Sequence, residues 1–231
     1  TLTHNETSTG VTNPAKELAK IIREHGAVSV VDGITSIGAI DCKMDEWGID
    51  VLISGSQKGF MIPPGLAFLV ANDRAWELHK QCKYPGFYFR WDDYKKNLEK
   101  DTTPWTPAVN LFIALDKALE MMKEEGLDNI FARHKHNAQL LRKGIKDMGL
   151  KLFVEDETIA SWAITSVLPP EGVSVPDIRK TLKEDYNIVV ANGQNDLKDK
   201  IFRMGTLGFV SERDVLTALA SLKATIEKLK K

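Results

Sequence analysis

The stretch I-D-V-L-I-S-G-S-Q-K-G-F-M-I-P-P-G, residues 49–65, limits the folds open to this chain more than any other. The apolar run at 51–53 has the length and composition of a buried strand, and small polar residues then deliver Lys58 at its carboxyl end. A second apolar run, residues 27–31, closes on Asp32. A short helical crossover at 44–47 returns the chain between them, so the two runs are expected as neighbouring parallel strands with Asp32 and Lys58 projecting from the same edge. That edge is where open α/β sheets bind ligands. Pro63, Pro64 and Gly65 make a rigid bend before a third apolar strand at 66–70, which would hold the lysine loop in one geometry.

A lysine amine with an ordinary pKa near ~10.4 is a poor nucleophile at neutral pH. One used for chemistry must have its pKa lowered or be held as a Schiff base with a carbonyl. Pyridoxal phosphate holds a lysine in this way and needs a carboxylate on its ring nitrogen, which Asp32 would supply. Both residues also have plain structural readings. Lys58 fits a surface turn, and Asp32 fits a helix N-cap or an Asx turn before Gly33. The ordered pair V-V-D-G-I-T-S-I-G and S-G-S-Q-K-G-F-M-I-P-P-G favours the coenzyme.

Four stretches in order resemble the class V pyridoxal-phosphate aminotransferases, above all their alanine/serine-glyoxylate aminotransferase branch. They are T-H-N-E-T-S-T-G-V at 3–11, V-D-G-I-T-S-I-G at 31–38, I-S-G-S-Q-K at 53–58 and F-R-M-G-T-L-G at 202–208. The resemblance covers essentially the whole chain. It implies an α/β, fold type I architecture, with a parallel-rich sheet from a large cofactor domain followed by a small α+β C-terminal domain. It implies pyridoxal 5′-phosphate as cofactor, with Lys58 attached to it, Asp32 at the ring nitrogen and Ile34 against one ring face, a role compatible with a core isoleucine. Thr7 and Gln57 match positions that contact the phosphate. D-T-T-P-W-T-P at 101–107 is similar to the segment that crosses to a neighbouring subunit's phosphate. Thr103, or Thr102 in its place, would be the donor, and a proline-rich turn is the alternative.

Arg203 matches the arginine that binds the substrate's α-carboxylate, a task its planar fork suits better than the point charge of lysine. A structural salt bridge on a strand is the other reading of Arg203. The resemblance further implies a homodimer with shared active sites. It also implies an upstream segment or chain completing the large domain, so this chain is expected to be the C-terminal portion of a longer protein.

Of 231 residues 43% are hydrophobic and 27% charged, with a formal net charge of -1, which provides no basic field for nucleic acid or an acidic membrane. No apolar segment approaches the ~18 residues of a membrane span, and neither a dinucleotide nor a P-loop glycine motif occurs. Cys42 and Cys82 lie far apart without metal-ligand spacing, which fits a reducing compartment, with cytoplasm as the default and an organelle left open. His25, His79, His134 and His136 define no metal site and are expected at surfaces or interfaces.

Helical periodicity covers 15–25, 108–125 and 129–148. The domain boundary is therefore expected near Gly126, with 1–126 belonging to the large cofactor domain and 127–231 forming the small one. In the latter, strands are expected at 151–154, 163–167, 187–190 and 201–204, alternating with helices at 176–186 and 211–229. Ser211 and Asp214 suit a capping box. The aromatic run Y-P-G-F-Y-F-R-W at 84–91 is expected at a subunit interface.

The expected activity is transfer of an amino group from alanine or serine to glyoxylate or pyruvate, with Lys58 moving the proton at the substrate's Cα as base and then acid. A cysteine desulfurase of the same fold would need a reactive cysteine on a mobile loop, which neither Cys42 nor Cys82 matches. A non-catalytic scaffold that kept the fold is the remaining class.

Overall fold

Residues 1–84 and 86–230 are described by a computed structural model; Pro85, within the aromatic run, lies outside the described residues. The chain opens with β1 (Leu2–Thr3), the hairpin β2 (Asn5–Glu6) and β3 (Val11–Thr12), and α1 (Ala15–Glu24). Then come β4 (Val30–Asp32), α2 (Met44–Trp47), β5 (Val51–Gly55), β6 (Ala67–Ala71), α3 (Asp73–His79) and α4 (Trp91–Leu98). The first sheet has the order β1-β4-β5-β6, with both pairings of β4 parallel and β6 antiparallel on the edge. This is the expected parallel-rich α/β arrangement, made mixed by the antiparallel edge strand β6. Val31 and Leu52 pair side by side at its centre and are buried with Ala19 and Ile49.

The amino end of the sheet is locked by a residue the sequence did not single out. Asp50 is fully buried and accepts from the Ser29 amide and hydroxyl, Asn72 and Arg74. Burial pushes its carboxyl pKa up, but these hydrogen bonds and the Arg74 charge outweigh it and hold the pKa below the usual carboxylate value. The starts of β4 and β5 are thereby tied together, which helps fix where both strands end.

Two long helices, α5 (Val109–Glu125) and α6 (Leu127–Asp147), meet at Gly126, whose φ of 82° makes the abrupt turn between them. A second sheet follows from β7 (Ile164–Val167), β8 (Ala191–Asn192) and β9 (Phe202–Gly205), in the antiparallel order β7-β9-β8. With α6, α7 (Val175–Tyr186) and α8 (Glu212–Leu229), it encloses the largest core, in which Phe202, Ile178, Leu182 and Leu222 are completely buried. The Ser211–Asp214 capping box forms at the start of α8.

Two expected strands are corrected. Residues 151–154 make only an isolated bridge, Leu152 to Val167: the Phe153 amide donates to the Ser166 carbonyl and the Leu168 amide to the Lys151 carbonyl, and no second residue pair extends the ladder among the described residues. The strand expected at 187–190 begins at Ala191, because Asn187 caps α7 in the left-handed region at φ 55°. The helix α4 lies in a stretch whose mixed pattern gave no clear period. Ala39 and Ile40 pack on Ala163 and Ile164, joining the turn after Asp32 to the second sheet.

Candidate active site

Asp32 ends β4 in register with Ile53 of β5, and Lys58 follows five residues beyond that partner. The Gly33 amide donates to the Ile53 carbonyl at 2.8 Å, and residues 33–40 then wind into a tight turn. This turn lies against the lysine loop backbone to backbone. A methyl carbon added at Gly59 would stand 2.1 Å from the Ile37 carbonyl oxygen and 2.8 Å from Gly38 Cα, so only glycine fits after the lysine. The loop is closed from its other end as well. The Ser56 hydroxyl donates to the Pro63 carbonyl and accepts from the Leu66 amide. The Met61 amide donates to the Lys58 carbonyl at 3.0 Å, with Met61 itself at a φ of 62°. A non-glycine residue in that region is strained, and the surrounding bonds are what retain it. Lys58 is half-buried, and its amine has no hydrogen bond or ion pair among the described residues.

Asp32 forms the Asx turn allowed by its sequence context, its Oδ1 accepting from the Ile34 amide at 2.9 Å. The second carboxylate oxygen has no protein donor among the described residues. Thr7 begins the loop of the β2–β3 hairpin, whose Gly10 takes a φ of 83°. The Thr7 hydroxyl lies 3.0 Å from that of Thr35, which gives its own proton to the Asn5 carbonyl at 2.7 Å. Thr7 is therefore the donor in this pair. Thr35, buried inside the V-D-G-I-T-S-I-G motif, was given no role from sequence, although its place between Ile34 and Ser36 marked it as part of the same turn.

Arg203 reaches the same loop from β9. It is 8% exposed, donates from Nε to the Asn192 carbonyl at 2.8 Å and from Nη1 to the Thr7 carbonyl at 2.7 Å, and makes no ion pair among the described residues. Burial pulls its pKa down from the usual arginine value. Its cross-strand partner Ser166 is also buried, with a hydroxyl that has no partner among the described residues. A buried guanidinium bonded only to carbonyls still lacks a counter-charge, which is costly until an anion arrives.

Other expected positions are more scattered. Gln57 is exposed beside Lys58. Thr103 donates to the Trp105 carbonyl at 2.6 Å in the 101–107 segment, and Thr102 is exposed. His134, expected at a surface or interface, is corrected: it is 1% exposed within this chain and lies on the buried stripe of α6 with Ile130, Ala138 and Leu141. That helical spacing was the signal for it. A cavity of about 460 Å³ between the 33–40 turn and the α5–α6 corner is walled by Ile37, Phe60, Met122 and Phe131, and holds none of the candidate side chains. Burial, reinforced by Asp41, pushes the Cys42 thiol up to about 11, which opposes a reactive thiolate there. Cys82 is exposed on the turn after α3.

Lys58, Asp32 and Arg203 thus present an amine, a carboxylate oxygen and a buried cation that no other group among the described residues pairs or compensates. A molecule with a carbonyl and a protonatable ring nitrogen suits the first two, and an anionic substrate suits the third. The residues present fit pyridoxal phosphate and an amino acid.

Comparison with known proteins gives the same family. The Aminotransferase class-V model matches residues 1–206. The chain is 48% identical over 229 residues to a soluble hydrogenase small subunit from Synechococcus sp., covering 99% of this chain and 59% of that protein. It is 37% identical over 229 residues to serine–glyoxylate aminotransferase of Arabidopsis thaliana, covering 98% and 57%. The crystal structure of ureidoglycine-glyoxylate aminotransferase from Bacillus subtilis matches with a TM-score of 0.93 at 32% identity, over 99% of this chain and 60% of that one. The chain spans about three-fifths of the length of the curated relatives it matches.

Proposed function

Because the chain belongs to the class V aminotransferases, we propose that it carries the lysine, ring-nitrogen and carboxylate contacts of a pyridoxal-phosphate transaminase. The substrates proposed are a small amino acid, alanine or serine, and a small 2-oxo acid, glyoxylate or pyruvate. The observation that carries the reading is Arg203, a buried cation with no carboxylate partner among the described residues, bonded to the loop of Thr7. Two of its donors are used by carbonyls, and the rest of its planar fork is left for a substrate carboxylate.

Bound pyridoxal phosphate would supply an electron-accepting ring that stabilises negative charge at the substrate's Cα. The unpaired oxygen of Asp32 would accept the ring N–H and keep that nitrogen protonated. Ile34 would pack on the ring, and Thr7 and Gln57 would donate to the phosphate. Thr7 must first turn its proton away from Thr35. Lys58, held by the closed 56–66 loop, would take the proton from Cα and return it elsewhere on the same face. In a homodimer, Thr103 or Thr102 would serve the neighbouring subunit's phosphate. The boundary between cofactor and small domains would fall at Gly126, and an upstream segment would complete the first.

A second reading, a non-catalytic subunit that kept the fold, is favoured by the 48% identity to a protein named as a hydrogenase subunit. One experiment separates them. The full-length protein is incubated with pyridoxal phosphate, its visible spectrum recorded, and amino donors assayed against glyoxylate and pyruvate. The transaminase reading expects a visible absorbance band that Lys58→Ala abolishes, and turnover with alanine or serine. A wild-type protein with no band and no turnover would support the scaffold; a band that survives Lys58→Ala would remove Lys58 from its role.

A further inference from the structure

Beyond the first sheet, a histidine far from Lys58 in sequence holds the segment that backs it. His134 sits on α6 with its Nδ1 2.7 Å from the Ile130 carbonyl. A carbonyl only accepts, so Nδ1 carries the proton and Nε2 is left as an acceptor. That nitrogen receives the Gly208 amide at 3.0 Å. The tautomer is thus fixed from both ends, and the ring is neutral. Burial lowers the imidazole pKa, with Arg133 adding to the effect and the Ile130 carbonyl and Glu125 opposing it.

Gly208 lies in the loop at 206–210 that leaves β9 and Arg203. Its φ is 83°, and a methyl carbon added to it would stand 3.3 Å from the Lys58 carbonyl oxygen and 3.6 Å from Met61 Cγ. The Gly208 backbone therefore faces the turn that carries Lys58 across a gap that a single methyl group would overfill. Two neighbours on α6 secure the flanks of the same loop. Arg133 donates to the Gly208 and Val210 carbonyls while gripping Glu125 through both its Nε and Nη2, and Asn137 donates to the Val210 carbonyl. Among these contacts, His134 alone takes the Gly208 amide.

We propose that His134 is a positioning residue for Lys58: by accepting the Gly208 amide it seats the 206–210 loop against the lysine turn and sets where the amine stands. The same loop continues from the strand of Arg203, so one buried imidazole couples the two groups that would meet the substrate. This rests on the role given to Lys58 above. A side chain that fills the space without accepting a hydrogen bond leaves a buried amide unpaired, and the loop, still held at its flanks by Arg133 and Asn137, can shift at Gly208.

The test uses the full-length protein with His134→Leu, His134→Gln and Gly208→Ala. Hydrogen exchange is followed in a peptide covering 206–210 and in one covering β7 as an internal reference. The acylation rate of Lys58 by acetic anhydride is read by mass spectrometry in protein freed of cofactor. His134→Leu is expected to speed exchange of 206–210 by about tenfold, the loss of one buried hydrogen bond, with β7 unchanged. It should also alter the Lys58 acylation rate severalfold and lower kcat more than it raises KM. His134→Gln, whose amide oxygen can accept, should restore all three. Gly208→Ala keeps the histidine but pushes on the lysine turn, so it should shift Lys58 acylation even if the leucine variant does not fold. Unchanged acylation in Gly208→Ala and in whichever His134 variants fold, or a glutamine variant no better than leucine, would overturn the proposal. Lys58→Ala run beside them decides the separate question: turnover surviving in that variant would sink the role of Lys58 and leave the exchange and acylation results to judge the loop contact alone.

Discussion

A single methyl group added at Gly59 tests how tightly the lysine loop is seated on the turn after Asp32. The Cβ of Gly59→Ala would lie 2.1 Å from the Ile37 carbonyl oxygen, with Gly38 Cα at 2.8 Å, and all the atoms it meets are backbone. Backbone cannot rotate out of the way as a side chain can. Reaching an ordinary 3.4 Å contact requires the two segments to part by roughly 1.3 Å, and overpacking of this kind costs about 2 kcal/mol. The displaced segment carries Lys58, and a misplacement of about 1 Å in a reacting group can lower the rate by about 10²-fold. Gly55→Ala is the control. Its added carbon would meet the Gln57 side-chain oxygen at 3.2 Å, which is flexible and can move. In the full-length protein, urea denaturation and steady-state turnover should show Gly59→Ala destabilised by about 2 kcal/mol and slowed by about 10²-fold, with Gly55→Ala within about 0.5 kcal/mol of wild type. If both variants behaved alike, or if Gly59→Ala kept wild-type turnover, the close seating of the loop would be refuted.

Three further outcomes follow from the geometry. Arg203→Lys keeps the charge but loses the fork that bonds Asn192 and Thr7 together, so KM for the amino donor should rise by about 10²-fold; steady-state kinetics with an unchanged KM would exclude Arg203 from carboxylate binding. Asp50→Ala leaves Arg74 and the Ser29 and Asn72 donors facing an empty buried site, and should cost about 3–5 kcal/mol in denaturant titrations, where a loss near zero would deny Asp50 its locking role. His4 and His134 are both buried with pKa values held below the ordinary 6.5 by desolvation. The unfolded chain therefore binds protons that the folded one refuses as pH falls below 6.5, so stability is complete above that value and declines below it, by up to about 1.4 kcal/mol per pH unit for each histidine. Urea midpoints measured from pH 7.5 to 5 should fall, and less steeply in His134→Gln; a flat profile would contradict the buried neutral rings.

Much of the first sheet was legible because its signals are local. The apolar runs, the short crossover at Met44–Trp47 and the prolines beyond Lys58 sit within a few residues of what they control, and the helix bounds followed periodicity to within a few residues. The strand expected at 151–154 failed where local pattern met only one partner, the bridge from Leu152 to Val167. The strand expected at 187–190 was displaced by a left-handed asparagine, whose conformation is decided by the helix it caps. His134 carried the spacing of a buried stripe, but a charged-looking residue type pointed the other way.

By itself the sequence determined which side chains are candidates for chemistry, the strand that ends on Asp32 and the one that ends just ahead of the Lys58 loop, because periodicity, turn residues and motif spacing act over short stretches of chain. Only the tertiary structure decided which of those groups meet and which remain uncompensated. Arg203 bonds the Thr7 carbonyl across 196 positions, His134 finds Gly208 across 74, and Asp50 collects donors from two other segments. Such pairings depend on which hydrogen-bonding groups are left unmatched once both sheets have packed, a balance over the whole molecule that no local stretch contains.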